Sequence, residues 1–190
     1  LVHISVGDIF RWQVQNHTKL GAKVKRIVAA GQLVPDEMVN EVVVERLEAH
    51  DWNFGFILDG FPRNANQAMF FLERYDVDAV LLIDVPDAVV MERIMSRRLC
   101  SGCGLDYNLI YHRPARPDLC DVCGGRLVAR ADDNPEAVSG RLRDYHEKTQ
   151  PIIDLFRGKE LVVAADGTRK AEAVQAELRQ KLGLQKGAEV

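Results

Sequence analysis

Positive charge is in short supply in this sequence: 25 lysines and arginines against 28 acids leave a net charge of −3. Domains that bind nucleic acid carry a basic excess or a strong basic stripe, so the balance argues against a general nucleic-acid binder. Any phosphate must be handled by a few local arginines. No apolar run approaches the roughly 20 residues that span a bilayer, and the opening LVHISVGD lacks a basic region followed by an apolar one. The expectation is a cytoplasmic chain that engages neither membrane nor nucleic acid. Cysteine is absent outside positions 100–123, no Ser-His or Cys-His constellation suggests itself, and a search for GxxxxGK[ST] finds nothing. What remains is 190 residues, 47% of them hydrophobic, enough for one substantial core or one core with a small inserted domain.

The most informative stretch is Gly55 to Gln67, GFILDGFPRNANQ. Phe56, Ile57 and Leu58 form a continuous apolar run, which suits a strand buried on both faces of a parallel sheet. Asp59 then falls at the carboxyl end of that strand, where open α/β sheets bind ligands. Gly60 lets backbone approach a ligand, Pro62 stiffens the exit, and Arg63 offers a planar fork of donors suited to phosphate. The bland alternative is a solvated Asp59–Arg63 ion pair.

All four cysteines lie in two CxxC pairs, Cys100 with Cys103 and Cys120 with Cys123, separated by sixteen residues. This spacing reads as a four-thiolate zinc site, structural because no ligand position is left open for water. Gly104 and Gly124 follow the pairs, where tight turns aim backbone N–H groups at sulfur. Disulfides or a redox CxxC are the competing readings; nothing suggests secretion, and a redox pair needs no second copy.

Elsewhere the pattern alternates helix and strand. Helices are expected at Gly7–His17, Ala22–Ala30, Asp36–Ala49 (with Met38, Val42, Val43 and Leu47 as its apolar stripe), Asn64–Tyr75, Ala88–Leu99, Pro135–Phe156 and Lys170–Leu182, and buried strands at Ala79–Ile83 and Leu161–Ala165. Arg93 and Arg97 fall four apart on one expected helix, a pairing of cations that is mildly unfavourable unless an anion binds there. A basic helix end opposing the dipole accounts for Arg97 and Arg98 but less well for Arg93.

Taken with ISVGDIFR (Ile4–Arg11), DVPD (Asp84–Asp87), RADD (Arg130–Asp133) and DGT (Asp166–Thr168), the central stretch resembles the adenylate kinases, and the cysteines narrow the resemblance to the variant with a zinc-bearing lid. The motifs keep the family's order from about residue 3 to about residue 182. The resemblance implies an α/β fold: a P-loop-type parallel sheet flanked by helices, with residues 1–99 and 131–190 as kinase core, an AMP-binding arm within 5–35 and a zinc lid over 100–130. It implies that Val6, Arg11, Gly31, Val34, Gly60, Arg63 and Gln67 border AMP, with Gln67 reading the adenine. Val6 stands where most relatives carry threonine. Arg93, Arg97 and Arg169 fall on the ATP side. Arg63, Arg97, Arg130 and Arg141 would surround the phosphoryl group in flight, and Asp59 would act on magnesium through water.

The implied reaction is reversible transfer from ATP to AMP, giving two ADP. The acceptor is an anionic phosphate oxygen, so alignment and charge stabilisation are needed rather than a general base. A monomer is expected, with zinc in the lid and magnesium on ATP. The chain opens inside what resembles the family's ISTGD motif, so the first strand and the glycine-rich phosphate loop are expected to be missing from these residues. That strand would lie between those ending at Asp59 and Asp84, leaving both edges unpaired, and the 190 residues are expected to be an inactive fragment. Two other readings stay open: a nucleoside monophosphate kinase with another base preference, and a non-catalytic zinc ribbon using Arg113, Arg116 and Arg126.

Overall fold

Two parallel strand pairings organise the chain. β1 (Val2–Ser5) runs beside β2 (Phe56–Asp59) with Ser5 opposite Asp59, and β3 (Val80–Asp84) runs beside β7 (Val162–Asp166) with Asp84 opposite Asp166. The computed structural model describes residues 1–51, 53–130 and 132–184, which form two units: Leu1–Asp76 with Glu136–Ile152, and Val77–Pro135 with Ile153 onward. Each unit holds one of the two pairings, flanked by helices, the α/β class expected.

In the first unit, α1 (Val6–Gln15) follows β1 directly, capped by Ser5, whose Oγ accepts from Asp8 N. α2 (Lys19–Ala29) is capped in the same way by Thr18. Gly21 permits the close approach of these helices, since a Cβ there would fall 2.0 Å from the Gln13 carbonyl oxygen. α3 (Asp36–Glu48) buries Val39, Val42, Val43 and Leu47. Val39 replaces Met38 in the expected stripe, because Met38 is only half-buried. α4 (Ala65–Leu72) starts at Asn64, whose side chain accepts from Gln67 N. Ile4, Val6, Phe10, Val24 and Phe71 are among the other buried residues of this unit.

In the second unit, α5 (Asp87–Met95) follows β3, and α8 (Ala171–Lys181) packs on β7 through the buried Val174. Between them, β4 (Arg97–Cys100) is the centre of an antiparallel sheet in the order β5 (Asp106–Asn108), β4, β6 (Leu127–Val128). Its core is Cys100, Tyr107, Cys120 and Leu127. The expected single helix over 135–156 is α6 (Pro135–Asp144), a π-helical turn (Tyr145–Thr149) and α7 (Gln150–Gly158).

Three expectations are corrected. Val2–Ser5 is a strand, where no element was expected. The α5 helix ends at Met95, so Arg97 sits on β4 and not on one helical face with Arg93; pairing of Arg97 to Asn108 and Arg98 to Tyr107 outweighs the local helical pattern. The strands expected to be buried on both faces are not: Ile57, Leu81 and Ile83 are 40%, 38% and 54% exposed. Among the described residues β2 pairs only with β1, and β3 only with β7, so each has one unpaired edge.

Candidate functional site

In the first unit, the β2–α4 connection gathers the residues around Arg63. Gly60, at φ 75°, turns the chain so that Arg63 Nε donates to the Gly60 carbonyl at 2.8 Å. A Cβ at Gly60 would meet Arg63 Nη2 at 2.7 Å, so only glycine gives the guanidinium this room. Thr149, in the π-helical turn, donates its hydroxyl to the Arg63 carbonyl at 2.9 Å. The Arg63 guanidinium is held below its usual range first by burial, then by Arg141 and Arg11, with Asp59 opposing. Three cations thus share one neighbourhood, and Asp59 and Asp144 offset only part of the opposition to the Arg63 charge. The solvated Asp59–Arg63 pair is not what forms: Asp59 is exposed at the end of β2, with His3 Nε2 3.4 Å from its carboxylate.

The residues expected to border AMP all fall in this unit. Arg11 lies one turn into α1 with its Nε donating to Asp8 at 3.1 Å. Val6 and Val34 are buried. Gly31 ends α2 at φ 68°, and a Cβ there would meet Ala137 at 3.0 Å and Arg141 Nε at 3.1 Å, so α6 lies against it. Gln67 is 1% exposed. Its Oε1 accepts from Arg63 N at 2.8 Å and its Nε2 donates to Asp36 Oδ1 at 2.7 Å. Contact with a base therefore requires the side chains that shield it to shift.

The second unit carries the other residues. Arg97 makes a two-pronged bond to Asp133, with Nε 2.9 Å from Oδ2 and Nη2 2.6 Å from Oδ1, and the Asp133 side chain is 1% exposed. Burial opposes the Arg97 charge, and Asp133 more than offsets it, so its pKa is raised. Arg130 Nη2 donates to Asp106 at 3.1 Å. Arg93 donates to the carbonyls of Gly167 at 2.7 Å and Thr168 at 3.3 Å and lies 5.2 Å from the Tyr111 ring centre. Arg169 bonds Glu177 at 2.7 Å. Arg141 belongs to the first unit and Arg130 to the second.

The four cysteine sulfurs lie within 4.8 Å of one another, and Cys100–Cys123 and Cys103–Cys120 approach to 3.3 and 3.6 Å. These are non-bonded separations, and all four cysteines are free. A tetrahedral ion with metal–sulfur bonds of about 2.3 Å fits such a cluster. Gly104 and Gly124, at φ 75° and 71°, close the two turns by donating to the Cys100 and Cys120 carbonyls. The N–H groups aimed at sulfur come from their neighbours: Gly102 and Cys103 donate to Cys100 at 3.3 and 3.5 Å. Tyr107 donates its hydroxyl to Cys120 at 3.5 Å and accepts from Asp121 N at 2.8 Å. The tyrosine, then the backbone N–H of Cys123, lower the Cys120 thiol to about 6, so thiolate is favoured at Cys120; against the backbone N–H of Gly125, contacts with Cys100 and Cys103 push the Cys123 thiol up to about 12. The cluster can hold a metal ion.

Sequence reading missed the roles of three members of these sites. Asp36 looks like an ordinary first-turn acid, and its amide partners lie far along the chain. Tyr107 carries no spacing signal of its own, although it stands within a few residues of a CxxC pair, and Asp133 was quoted within RADD without its pairing to Arg97.

Comparison with known proteins gives the family of the chain. The family model described as Adenylate kinase matches residues 1–161. Among curated proteins, the adenylate kinase of Caldicellulosiruptor bescii is 45% identical over 188 residues, covering 96% of this chain and 87% of its own length. That of Clostridium tetani is 44% identical over 95% of this chain and 86% of its own, and that of Thermotoga neapolitana 47% identical over 95% and 85%.

Proposed function

The chain belongs to the adenylate kinase family of phosphotransferases, and from that premise we propose that it moves a phosphoryl group from ATP to AMP using the residues described above. The observation that carries the proposal is the gathering of Arg63, Arg141 and Arg11 at the carboxyl end of β2, where burial and mutual repulsion hold Arg63 below its usual range. A phosphate offsets that repulsion. Arg11 and Arg63 hold the phosphate of AMP, and Gln67 reads its base with Val6, Gly31, Val34 and Gly60 around it. On the donor side Arg93 and Arg169 take the base. Arg97, Arg130 and Arg141 stabilise charge on the phosphoryl in flight. Magnesium would accompany ATP and neutralise charge on its phosphates, with Asp59 as the carboxylate that would hold it.

The ion of the cysteine cluster is zinc in this proposal, and its task is structural. A segment of about 30 residues is too small to bury an adequate core, so a metal staple stiffens it. Residues 100–130 act as a lid that excludes water, which prevents hydrolysis of ATP. The enzyme works as a cytoplasmic monomer. The 190 residues hold no GxxxxGK[ST] pattern, whose backbone N–H groups and lysine grip donor phosphates. By themselves they bind AMP but make little ADP.

The test is calorimetric titration of the 190-residue chain with AMP, UMP, CMP and GMP, beside a coupled assay for ADP. AMP should bind in preference to the other three, and Arg63→Ala should weaken it by about two orders of magnitude. A preference for another base would move the assignment to a different nucleoside monophosphate kinase. ADP production equal to that of the same chain joined to a GxxxxGK[ST] segment would show that the donor grip lies elsewhere.

A further inference from the structure

Asp36, the first residue of α3, does more than place an acid near a helix start. Its Oδ1 accepts from Gln67 Nε2 and from Asn64 Nδ2, both at 2.7 Å, and Asn66 Nδ2 lies 3.5 Å from its Oδ2. Gln67 is gripped at its other end as well, because Oε1 accepts the backbone N–H of Arg63 at 2.8 Å. Only one orientation of the Gln67 amide satisfies both neighbours. Reversing it would set the amide oxygen against a carboxylate and the NH2 against an N–H donor. Asn64 is fixed by the same logic, with its Oδ1 accepting from Gln67 N at 2.9 Å and its Nδ2 on Asp36. Such a lock counts for more here than in water, since Gln67 is almost fully shielded.

The consequence is chemical. A primary amide has two N–H groups and two lone pairs, and these two contacts use one of each. A freely turning glutamine can present donor and acceptor in either order. It therefore matches a 6-aminopurine, which offers an N–H beside a ring acceptor, as well as a 6-oxopurine, which offers an acceptor at the same position. A locked glutamine matches one of them.

We propose that Asp36 is a positioning residue for base selection: by fixing the Gln67 amide in one orientation it makes the acceptor pocket select 6-aminopurine over 6-oxopurine nucleotides. The inference rests on the reading that Gln67 meets the acceptor base. It adds that the selectivity resides in the Asp36–Gln67 pair rather than in the glutamine alone.

The test compares AMP with IMP, which differ at the 6-position, by calorimetric titration of the 190-residue chain and its variants. The wild type should bind AMP at least tenfold more tightly than IMP. Asp36→Ala should reduce that ratio at least fivefold. Asp36→Asn, which keeps an acceptor within reach of Nε2, should restore it to within twofold. In a Gln67→Ala background, Asp36→Ala should leave the ratio unchanged. Asp36→Ser keeps a residue suited to a helix start but cannot reach Gln67, and it substitutes for the alanine variant should that fail to fold. A merely structural Asp36 would lower the melting temperature and leave the ratio as in the wild type, which overturns the inference while the reading of Gln67 stands. A wild type without preference between AMP and IMP overturns both.

Discussion

The cysteine cluster and the arginine cluster each gather groups of one kind, yet the fold treats them in opposite ways. Around the sulfurs it supplies partners: backbone N–H groups from Gly102 and Cys103, and the Tyr107 hydroxyl on Cys120. These donors favour the thiolate, the form that binds metal, at Cys100 and Cys120. Around Arg63 the surroundings work against the charge, with burial first and Arg141 and Arg11 next. The first arrangement suits a cluster that can hold a metal ion. The second suits the exchangeable phosphate proposed above, because an incoming anion offsets what remains of the opposition after Asp59 and Asp144. At Cys120 and at Arg63 the neighbours act in opposite senses on the charged form.

The sharpest way to break this contrast is Cys103→Ser. Its exposed sulfur is one of the four ligands, and its loss opens the site. Elemental analysis should find about one metal per chain in the reduced wild type and a small fraction of that in the variant. The melting temperature should fall by about 10 °C, as expected for a few kcal/mol in a domain of this size. AMP affinity at low temperature should stay within about twofold, since every residue assigned to AMP lies in the other unit. A wild type without metal, or a variant that loses AMP binding in proportion to metal, would erase the distinction.

Arg63→Ala tests the other half. It removes a charge that its neighbours disfavour, so the melting temperature should stay within about 3 °C of the wild type, the scale of 1 kcal/mol here. AMP affinity should drop by roughly 10²-fold, the magnitude of about 3 kcal/mol for a donor aimed at phosphate. The reverse pattern, a large loss of stability with AMP binding intact, would make Arg63 a structural residue.

Tyr107→Phe probes how much of the metal site's order comes from support outside the ligands. Tyr107 is 3% exposed and its hydroxyl bridges Cys120 Sγ and Asp121 N. Loss of such a partner lowers metal affinity by about 10- to 100-fold, readable by competition with a chelator. The pH dependence follows from the lowered thiol. Stability contributed by the Cys120 thiolate is fully present above the unfolded value of about 8.5 and is lost as pH falls through about 6. A bound metal ion holds its thiolates against protonation, so metal release on acidification should centre below that value in the wild type. It should move to higher pH in Tyr107→Phe, and an unchanged release curve would show that the hydroxyl contributes nothing.

What could be read from sequence follows the same division between local and distant causes. The metal site was legible because CxxC pairs and their glycines are local, and the turns form just where they stand. The carboxyl end of β2 was legible because Gly60 and Arg63 act through their own loop. Arg97 was misplaced because its strand is set by pairing to Asn108 and by Asp133, well along the chain. Strand β1 escaped notice because four residues carry little periodicity, and its partner is β2, beyond three helices. The exposure of Ile57 and Ile83 contradicts their apolar run for a similar reason. Burial of a strand depends on what packs and pairs around it, and among the described residues these strands have one neighbour each.

The smallest expected effect refines the picture of the arginine site. Thr149 donates to the carbonyl of Arg63 from the π-helical turn, tying that turn to the loop that presents the guanidinium. Thr149→Val keeps the shape and β-branching of the side chain and deletes the hydroxyl. A half-buried neutral hydrogen bond contributes about 1 kcal/mol, so the melting temperature should fall by about 3 °C. The Arg63 guanidinium keeps its own tether to the Gly60 carbonyl, so AMP affinity should fall by no more than about threefold. A loss approaching that of Arg63→Ala would mean that the π-helical turn, and not the Gly60 loop, holds Arg63 in its binding position. The supporting shell of the arginine site would then be as demanding as that of the cysteines, and the contrast between the two sites would shrink to the charge of their ligands.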